Sequence, residues 1–205
     1  MEQRTEEWYT ARAGKVTASR VADVIARTKT GYGASRATYM AELVIERITG
    51  QPTEKFSSAA MQWGTEKEPE ALSAYQVETG ALVEQVGFVL HPDIQGSGAS
   101  PDGLISADGL IEIKSPSSAT HLDTLLQQKI PSRYQTQMLW QMACTGRAWC
   151  DFVSFDPRMP DHLKLFIQRF NRDDLLIKEI EDQVRVFIAE IDQKVEDLNK
   201  LYKKD

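Results

Sequence analysis

The sequence predicts an α/β or α+β domain with one central β-sheet. Helical patterns fill most of the first 80 residues, strand patterns cluster between residues 81 and 114, and helices return before two further strands and a C-terminal helix. Runs of this kind are typical of a sheet with helices packed against it. With 205 residues, 41% of them hydrophobic and 26% charged, the chain has the size and composition of one globular domain covering 1–205.

The charge balance and the few cysteines exclude several classes of protein. The 24 basic and 30 acidic residues give a net charge of −6, whereas domains coated in nucleic acid usually run basic. A local basic surface or a metal site is still compatible with this charge. The chain has no apolar run of the roughly 20 residues needed for a membrane span, and its first residues, MEQRTEEW, are charged and lack the apolar stretch typical of a signal peptide. Its only cysteines, Cys144 and Cys150, fit neither a disulfide framework nor a zinc site. We therefore expect a cytoplasmic protein.

The N-terminal part carries helix signals, each bounded by hydroxyl residues or glycine. In order, the pattern predicts a helix capped near Thr17 or Ser19 and running through Ile25, a glycine-punctuated loop at 28–33, a helix at 36–49 with Met40, Leu43, Val44 and Ile48 on its apolar face and Gly50 at its end, and a helix at 58–79 followed by Gly80. Pro69 lies inside the last of these and should kink it or begin a new segment.

The remaining chain mixes strand and helix patterns. In order, it predicts strands at 81–90, at 100–105 and, after the turn signal Asp108-Gly109, at 110–114; helices at 120–129 and 133–145; strands at 149–155 and 163–170; and a long amphipathic helix at 173–202, whose apolar stripe is Ile177, Ile180, Val184, Phe187, Ile191, Val195 and Leu198. This last helix is most simply packed on the sheet, and a partner-protein surface is the alternative.

The segment from Ser100 to Lys114 is the part that indicates chemistry. Glu112 and Lys114 are two residues apart on a strand, so both side chains share one face and Ile113 points to the other. If the two strands pair, Asp102 can meet Glu112, and two neighbouring carboxylates repel unless a cation joins them. Such oxygen ligands suit Mg²⁺, and a nearby ammonium can stabilise a phosphoryl transition state. The pattern therefore predicts metal-assisted phosphodiester hydrolysis.

An ordinary hairpin with polar residues facing water explains the same spacing about equally well. The flanking residues favour the metal site, because Leu110, Ile111 and Ile113 are nearly continuous apolar residues, as in a buried strand. Glu112 and Lys114 in a buried strand need partners, since an unpaired buried charge is costly.

Ordered motifs along the chain resemble a known family. They are Trp8, Arg12-x-Gly14, Thr17-Ala18-Ser19, Trp63-Gly64 with Glu68, Ser100-Pro101-Asp102-Gly103, Glu112-x-Lys114, Tyr134 with Gln137, and Phe155-Asp156-Pro157-Arg158-Met159. Together they resemble the phage-lambda-type alkaline exonucleases, the YqaJ-like viral recombinases, within the restriction-endonuclease-like nucleases. The resemblance implies a restriction-endonuclease-like α/β core, in which a mixed central β-sheet is flanked by α-helices.

This resemblance also implies an activity and its partners. The protein would degrade the 5′-ended strand of linear double-stranded DNA, leave 3′ single strands for recombination by annealing, and prefer 5′-phosphorylated ends. It would use two Mg²⁺, with Mn²⁺ as a substitute, form a homotrimeric ring, and work with a single-strand-annealing protein. It would be encoded by a phage or prophage and act in the bacterial cytoplasm. An endonuclease of the same superfamily and a non-catalytic DNA-end-binding module are the alternatives.

The resemblance further assigns roles to single residues. Asp102, Glu112 and the Ile113 carbonyl would hold metal, Lys114 would be the catalytic lysine, and Glu68 would help to place a second metal, if necessary through water.

A second group would hold the DNA rather than the metal. Arg12, Ser19, Ser100 and Gln137 would bind the 5′-terminal phosphate, a role that a forked guanidinium, hydroxyl donors and a helix N-terminus near Ser19 suit chemically. Met61 would wedge the duplex end apart and Lys29 would touch DNA.

Without the family, each of the DNA-holding residues has a simpler interpretation. Ser19 would be an N-cap, Gln137 would face solvent, Met61 would fill the core, and Arg12 would form a surface ion pair. We expect Tyr134, Trp140 and Trp149 to be core residues, and we assign no role to His91, His121 or His162.

Overall fold

Helices pack on both faces of a mixed β-sheet in the computed structural model, which describes residues 1–29, 31–53 and 58–202. The helices are α1 (Glu6–Arg12), α2 (Val21–Ile25), α3 (Ala34–Thr49), α4 (Ala59–Thr79), α5 (Ser118–Gln127), α6 (Ser132–Thr145) and α7 (Asp174–Tyr202). The strands are β1 (Val16–Thr17), β2 (Arg27–Thr28), β3 (Gly31–Tyr32), β4 (Val83–Glu84), β5 (Val89–Leu90), β6 (Ser97–Ala99), β7 (Gly103–Ile105), β8 (Gly109–Lys114), β9 (Trp149–Phe155) and β10 (Leu165–Asn171).

The main sheet has five strands in the order β10-β9-β8-β7-β4. Only the β8–β9 pair is parallel, and the other pairs are antiparallel. The predicted α/β fold with a mixed central sheet flanked by helices is therefore confirmed. A smaller sheet, β1-β6-β5, and the hairpin β2-β3 accompany it.

The two faces of β8 contact different cores, as the period-two pattern predicts. Leu110 belongs to a large cluster with residues of α2, α3, α6 and α7, whereas Ile111 and Ile113 belong to a smaller cluster with Ala71 and Tyr75 of α4. Glu112 and Lys114, which alternate with these isoleucines, therefore lie on the side of the large cluster.

The glycine stops and the long C-terminal helix are confirmed. Helices α3 and α4 end at Gly50 and Gly80, whose φ values of 67° and 69° are left-handed and suit glycine. Helix α4 is capped by Ser58 and continues through Pro69 without a break, so no new segment begins there.

Helix α7 buries the first five residues of its predicted stripe, whereas Leu198 is 38% exposed. On α3, Ile48 is 51% exposed, so its predicted place on the apolar face is wrong.

In the first hundred residues one predicted strand is wrong, and α1 and β6 were not predicted. Helix α1 was not predicted, although the Thr5 hydroxyl caps it and accepts from Trp8 N–H. The strand predicted at 81–90 is two short strands in different sheets. They separate where the N-terminus crosses Gly87, at which a Cβ would lie 2.5 Å from the Met1 carbonyl oxygen. Strand β6 was also missed.

The predicted helix near Ser19 is shorter than expected. Residues Ala18–Arg20 form a 3₁₀ turn, and α2 then has only five residues. No side chain caps either element, so the N-cap interpretation of Ser19 is wrong. The glycine loop that follows is the β2–β3 hairpin, in which Thr30 lies outside the described residues.

Both cysteines are free and buried. Among the residues described, none of the helices combines the length and the apolar character that crossing a membrane requires.

Candidate active site

The β7–β8 hairpin brings the two predicted carboxylates together. Gly103 pairs with Ile111 in the antiparallel register, so Asp102, one residue earlier, lies opposite Glu112. The Asp102 Oδ2 atom accepts a hydrogen bond of 2.6 Å from the Ile113 N–H. Glycine is required at position 103, because a Cβ there would lie 2.2 Å from Val83 of β4. The sequence Asp102-Gly103 therefore lets β4 approach while Asp102 turns toward β8.

Glu112 is buried, with 1% of its surface exposed, and its charge is compensated. Gln137 Nε2 donates to Oε1 at 2.7 Å, and Gln141 Nε2 donates to Oε2 at 2.6 Å. The Lys114 ammonium forms an ion pair with Oε1. A buried carboxylate is tolerated only with such partners, so α6 and Lys114 together fix the position of Glu112.

Burial and the neighbouring charges shift the pKa values of Asp102 and Lys114. Burial, followed by the charge of Glu112, raises the pKa of Asp102 well above its usual value, and Glu68 adds to the effect. Burial alone would lower the pKa of Lys114, but the carboxylates of Glu112 and Asp102 outweigh it and raise that pKa. Lys114 is thus an ammonium ion here.

Three of the four predicted catalytic residues, Glu68, Asp102 and Lys114, line one cleft of about 750 Å³, the active-site cleft. Ile113, whose carbonyl is a predicted metal ligand, also lines it, whereas the fourth catalytic residue, Glu112, lies behind the lining. Glu68 reaches the cleft from α4 and forms an ion pair with Arg4. Met61, at the start of α4, also lines the cleft and is 57% exposed. The interpretation of Met61 as core filler is therefore wrong.

The residues present fit a hard divalent cation, although within the described ranges no three Asp, Glu, His or Cys side chains converge as a complete metal site. The donors at the cleft are carboxylate and carbonyl oxygens, which Mg²⁺ prefers. Asp102 Oδ1 accepts no hydrogen bond from any described residue. Burial raises the pKa of Asp102 most, and the neighbouring charges of Glu112 and Glu68 raise it further; a shared cation would relieve that repulsion.

A second polar cluster surrounds Ser100, two residues before Asp102. The Ser100 hydroxyl accepts from Trp8 Nε1 at 2.9 Å and from Arg12 Nη1 at 3.2 Å. The Arg12 guanidinium lies 4.0 Å from the Trp8 ring centroid, and burial lowers its pKa. Among the described residues Arg12 forms no ion pair with a carboxylate, unlike Arg20, which pairs with Asp23 and Glu42. The surface ion-pair interpretation of Arg12 is therefore wrong. A partly desolvated cation without a counter-ion suits an anionic ligand.

Among the four predicted phosphate contacts, the hydrogen bonds of the described residues link only Arg12 and Ser100 to each other. Ser19 is exposed in its 3₁₀ turn, with no hydrogen bond to Arg12, Ser100 or Gln137 within the described part of the chain. Gln137 binds Glu112, so the expectation that it faces solvent is wrong. Arg12 also lines a separate cavity of about 600 Å³, which Ser100 and Glu112 do not line.

Lys29 is exposed at the turn of the β2–β3 hairpin. This hairpin contacts α7, because Arg27 Nη2 donates to Gln183 Oε1 at 3.1 Å. Neither Lys29 nor Arg27 lines the active-site cleft.

Sequence reasoning missed three features of the site. Gln141 was not singled out, although its spacing of four from Gln137 puts both amides on one face of a helix. Tyr134 lines the cleft and stacks on Phe152 at 5.4 Å, so it is not a plain core residue. Arg158 lies at the same cleft. By contrast, Trp140 is fully buried, as predicted, and Trp149 is half-buried.

Known proteins resemble this chain in sequence and in fold. Residues 7–148 match the model of the YqaJ-like viral recombinase domain. The alkaline exonuclease LHK-Exo from Laribacter hongkongensis is 54% identical, with 96% of this chain and 97% of that chain covered and a TM-score of 0.89. The structure of LHK-Exo in complex with dAMP gives a TM-score of 0.90 at the same identity and coverage.

A more distant structure shares the fold. The phage-related exonuclease from Haemophilus somnus is 16% identical, with a TM-score of 0.73 over 93% of this chain and 99% of that chain. The search of curated proteins found no match.

Proposed function

The chain belongs to the family of YqaJ-like viral recombinase domains, and we propose on this ground that it is a Mg²⁺-dependent 5′-to-3′ exonuclease of linear double-stranded DNA. The family and the 54% identity to an alkaline exonuclease support a deoxyribonuclease. The strand polarity, the metal and the role in recombination are our proposals. The complex of LHK-Exo with dAMP supports a nucleoside monophosphate as product.

The observation that carries the proposal is the connected set Asp102, Glu112 and Lys114. Asp102 is bonded to the backbone of β8 at Ile113, and Glu112 and Lys114 flank that residue. Two carboxylates and an ammonium are thereby held next to one another, and Asp102 and Lys114 of this set line the active-site cleft. An exposed hairpin would hold none of them in this way.

In the proposed mechanism, Asp102, Glu112 and the Ile113 carbonyl would hold the metal, and Glu68 would support a second one. When bound, Mg²⁺ would activate water and polarise the scissile phosphate. Glu112 is already oriented by Gln137 and Gln141, so these amides act as positioning residues for it.

Lys114 acts from the same face of β8. As an ammonium it would orient water or stabilise the charge that develops on the phosphate oxygens.

The polarity is proposed to come from the cluster at Ser100. Arg12 and Ser100 would bind the 5′-terminal phosphate, with Ser19 and Gln137 as further contacts on either side. Gln137 would then have to share its amide group between Glu112 and the phosphate. Met61, exposed at the rim of the cleft, would wedge the duplex end apart, and Lys29 would contact DNA.

The assembly is part of the proposal. A homotrimeric ring would enclose the duplex, and a single-strand-annealing protein would receive the 3′ strand. The protein would be phage- or prophage-encoded and act in the bacterial cytoplasm.

The proposal is tested by incubating the protein with Mg²⁺ and two DNAs of the same sequence, one linear and one covalently closed. We expect the linear DNA to be degraded, the closed circle to stay intact, and EDTA to stop the reaction. Cutting of the circle would support the endonuclease alternative. Binding of linear DNA without any cleavage would support a DNA-end-binding module.

A further inference from the structure

Arg158 is held rigidly by a buried carboxylate. Its Nε donates to Asp156 Oδ1 at 2.7 Å and its Nη2 to Oδ2 at 3.0 Å, while Nη2 also donates to the Pro116 carbonyl at 3.2 Å. Asp156 is completely buried at the end of β9. Forked pairs of this kind fix the orientation of a guanidinium. The motif Phe155–Met159 contains both residues, and none of the roles assigned above uses it.

The guanidinium faces the active-site cleft. Arg158 lines it together with Asp102 and Lys114, and its Cζ lies 4.5 Å from the ring centroid of Trp63 on α4. The side chain is 47% exposed, and Nη1 donates to none of the described residues. Asp156 and Trp63 thus orient a cation whose remaining donor is free on the side of the cleft.

A second arginine in the chain shows the same arrangement without a cleft. Arg169 donates to Asp151 at 2.8 and 3.0 Å, is 51% exposed, and lies 3.4 Å from the ring centroid of Trp149. Asp151 also accepts from Tyr75 near the end of α4. Tyr75 follows Trp63 by twelve residues, which is about 18 Å along a helix. The two arginines therefore mark opposite ends of α4, and only Arg158 lines the cleft.

The cleft has further unused donor capacity beside Arg158. The Ser115 hydroxyl lines the cleft, is buried, and has no hydrogen-bond partner within the described part of the chain. Ser115 directly follows Lys114 and precedes Pro116, whose carbonyl holds Arg158. A phosphate oxygen in the cleft would satisfy the free Nη1 donor of Arg158, since guanidinium groups are usual phosphate partners.

We propose that Arg158 binds a backbone phosphate of the DNA strand in the cleft, next to the phosphate that is cleaved. Because a strand carries a charge on every nucleotide, one that places a phosphate at Asp102 and Lys114 also brings its neighbours to the cleft walls. The inference rests on the proposed nuclease function and extends it to a substrate-binding residue outside the Asp, Glu and Lys set and outside the Ser100 cluster.

The test measures binding of a 5′-phosphorylated linear duplex by fluorescence anisotropy, with Ca²⁺ in place of Mg²⁺, at several KCl concentrations. We expect Arg158→Gln to weaken binding about tenfold at low salt and to reduce the slope of log affinity against log salt by about 0.9, the value for one lost phosphate contact. Arg169→Gln is the matched control, because it removes the same charge and the same kind of ion pair away from the cleft. It should leave the slope unchanged.

The variant Arg158→Lys distinguishes a phosphate contact from a merely structural role of Arg158. Arg158→Lys keeps the charge but cannot form the forked pair with Asp156, so it should restore most of the salt slope if the charge contacts phosphate. In turnover with Mg²⁺, Arg158→Gln should raise KM more than it lowers kcat. If Arg158→Gln unfolds the protein, the double variant Asp156→Asn/Arg158→Gln removes the unpaired carboxylate and is used instead.

The possible results separate the inference from the function on which it rests. Equal slopes for Arg158→Gln and the unchanged protein, or equal losses for Arg158→Gln and Arg169→Gln, would overturn the inference while leaving the nuclease function standing. If the unchanged protein neither bound nor cleaved the duplex, the proposed function would fall and the inference with it.

Discussion

The carboxylate of Asp102 accepts a hydrogen bond of 2.6 Å from the main-chain N–H of Ile113, eleven residues later in the sequence. This bond ties the residue before β7 to the last residue but one of β8. Glu112 and Lys114 flank Ile113 and contact each other, so one backbone group sets the spacing between two carboxylates and an ammonium. The proposed metal site is therefore built on the sheet rather than on a loop.

Removing Asp102 or Lys114 should stop cleavage without unfolding the protein. We expect Asp102→Ala and Lys114→Ala each to lower the cleavage rate by at least about a hundredfold, the order of loss when one group that stabilises developing charge is removed. The measurement is release of acid-soluble nucleotides from linear duplex in Mg²⁺, with circular dichroism to check folding. Asp123→Ala, an exposed carboxylate on α5, is the control. Full activity of Lys114→Ala, or of the unchanged protein in EDTA, would contradict the mechanism.

Arg12 should determine the preference for 5′-phosphorylated ends. A lost hydrogen bond to a charged group costs about 1.5–3 kcal/mol, or roughly ten- to a hundredfold in rate. Arg12→Ala should therefore shrink the ratio of initial rates on 5′-phosphate and 5′-hydroxyl duplexes by about that factor. Arg185→Ala, which removes an exposed arginine on α7, should leave the ratio unchanged. Equal rates of the unchanged protein on both ends would remove the phosphate site from the account.

The Asp156–Arg158 pair should make stability depend on pH in acid. Burial alone would raise the pKa of Asp156, but hydrogen bonds from Arg158 and Ser118 lower it to about 2. Because the folded pKa is depressed, the stabilisation is complete above about pH 4 and is lost as the pH falls toward 2. Asp156→Asn should therefore be less stable than the unchanged protein at neutral pH, by at most about 2 kcal/mol. Urea unfolding at a series of pH values should show this difference shrinking in acid, and a constant difference would be the contrary result.

A homotrimeric ring would allow a protein with a net charge of −6 to stay on DNA over many cleavage cycles. Closed cyclic symmetry can place basic residues such as Lys29 toward a shared channel while acidic surface faces outward. We expect light scattering to give a mass near three times 23.1 kDa. Rising salt should weaken loading onto DNA but shorten the run length less steeply, because topology holds the threaded enzyme. A strict monomer that is still processive would rule out the ring.

The parts of the fold and site that depend on local spacing could be predicted from the sequence. The turn at Asp108-Gly109 and the alternation along β8 were enough to place Asp102 opposite Glu112, because strand periodicity is fixed. The glycine that follows each apolar helical pattern was likewise enough to predict that α3 ends at Gly50 and α4 at Gly80.

Contacts between distant segments could not be predicted in the same way. The break between β4 and β5 depends on Met1 crossing Gly87, and no local pattern encodes that approach. The partner of Gln137 is Glu112 because α6 packs on β8, which is a tertiary fact. The sequence alone also could not distinguish Arg158 from Arg169, since both neighbour an aspartate in space and only the fold places one of them at the cleft.

The polarity of degradation tests the central claim most directly. A linear duplex carries one label at the 5′ end and another at the 3′ end of the same strand, with 5′ phosphates on both strands. The account predicts that Mg²⁺ releases the 5′ label first, as a mononucleotide, while the 3′ label stays on a long single strand, and that Asp102→Ala releases neither. Release of the 3′ label first, or release of both labels by Asp102→Ala, would contradict it.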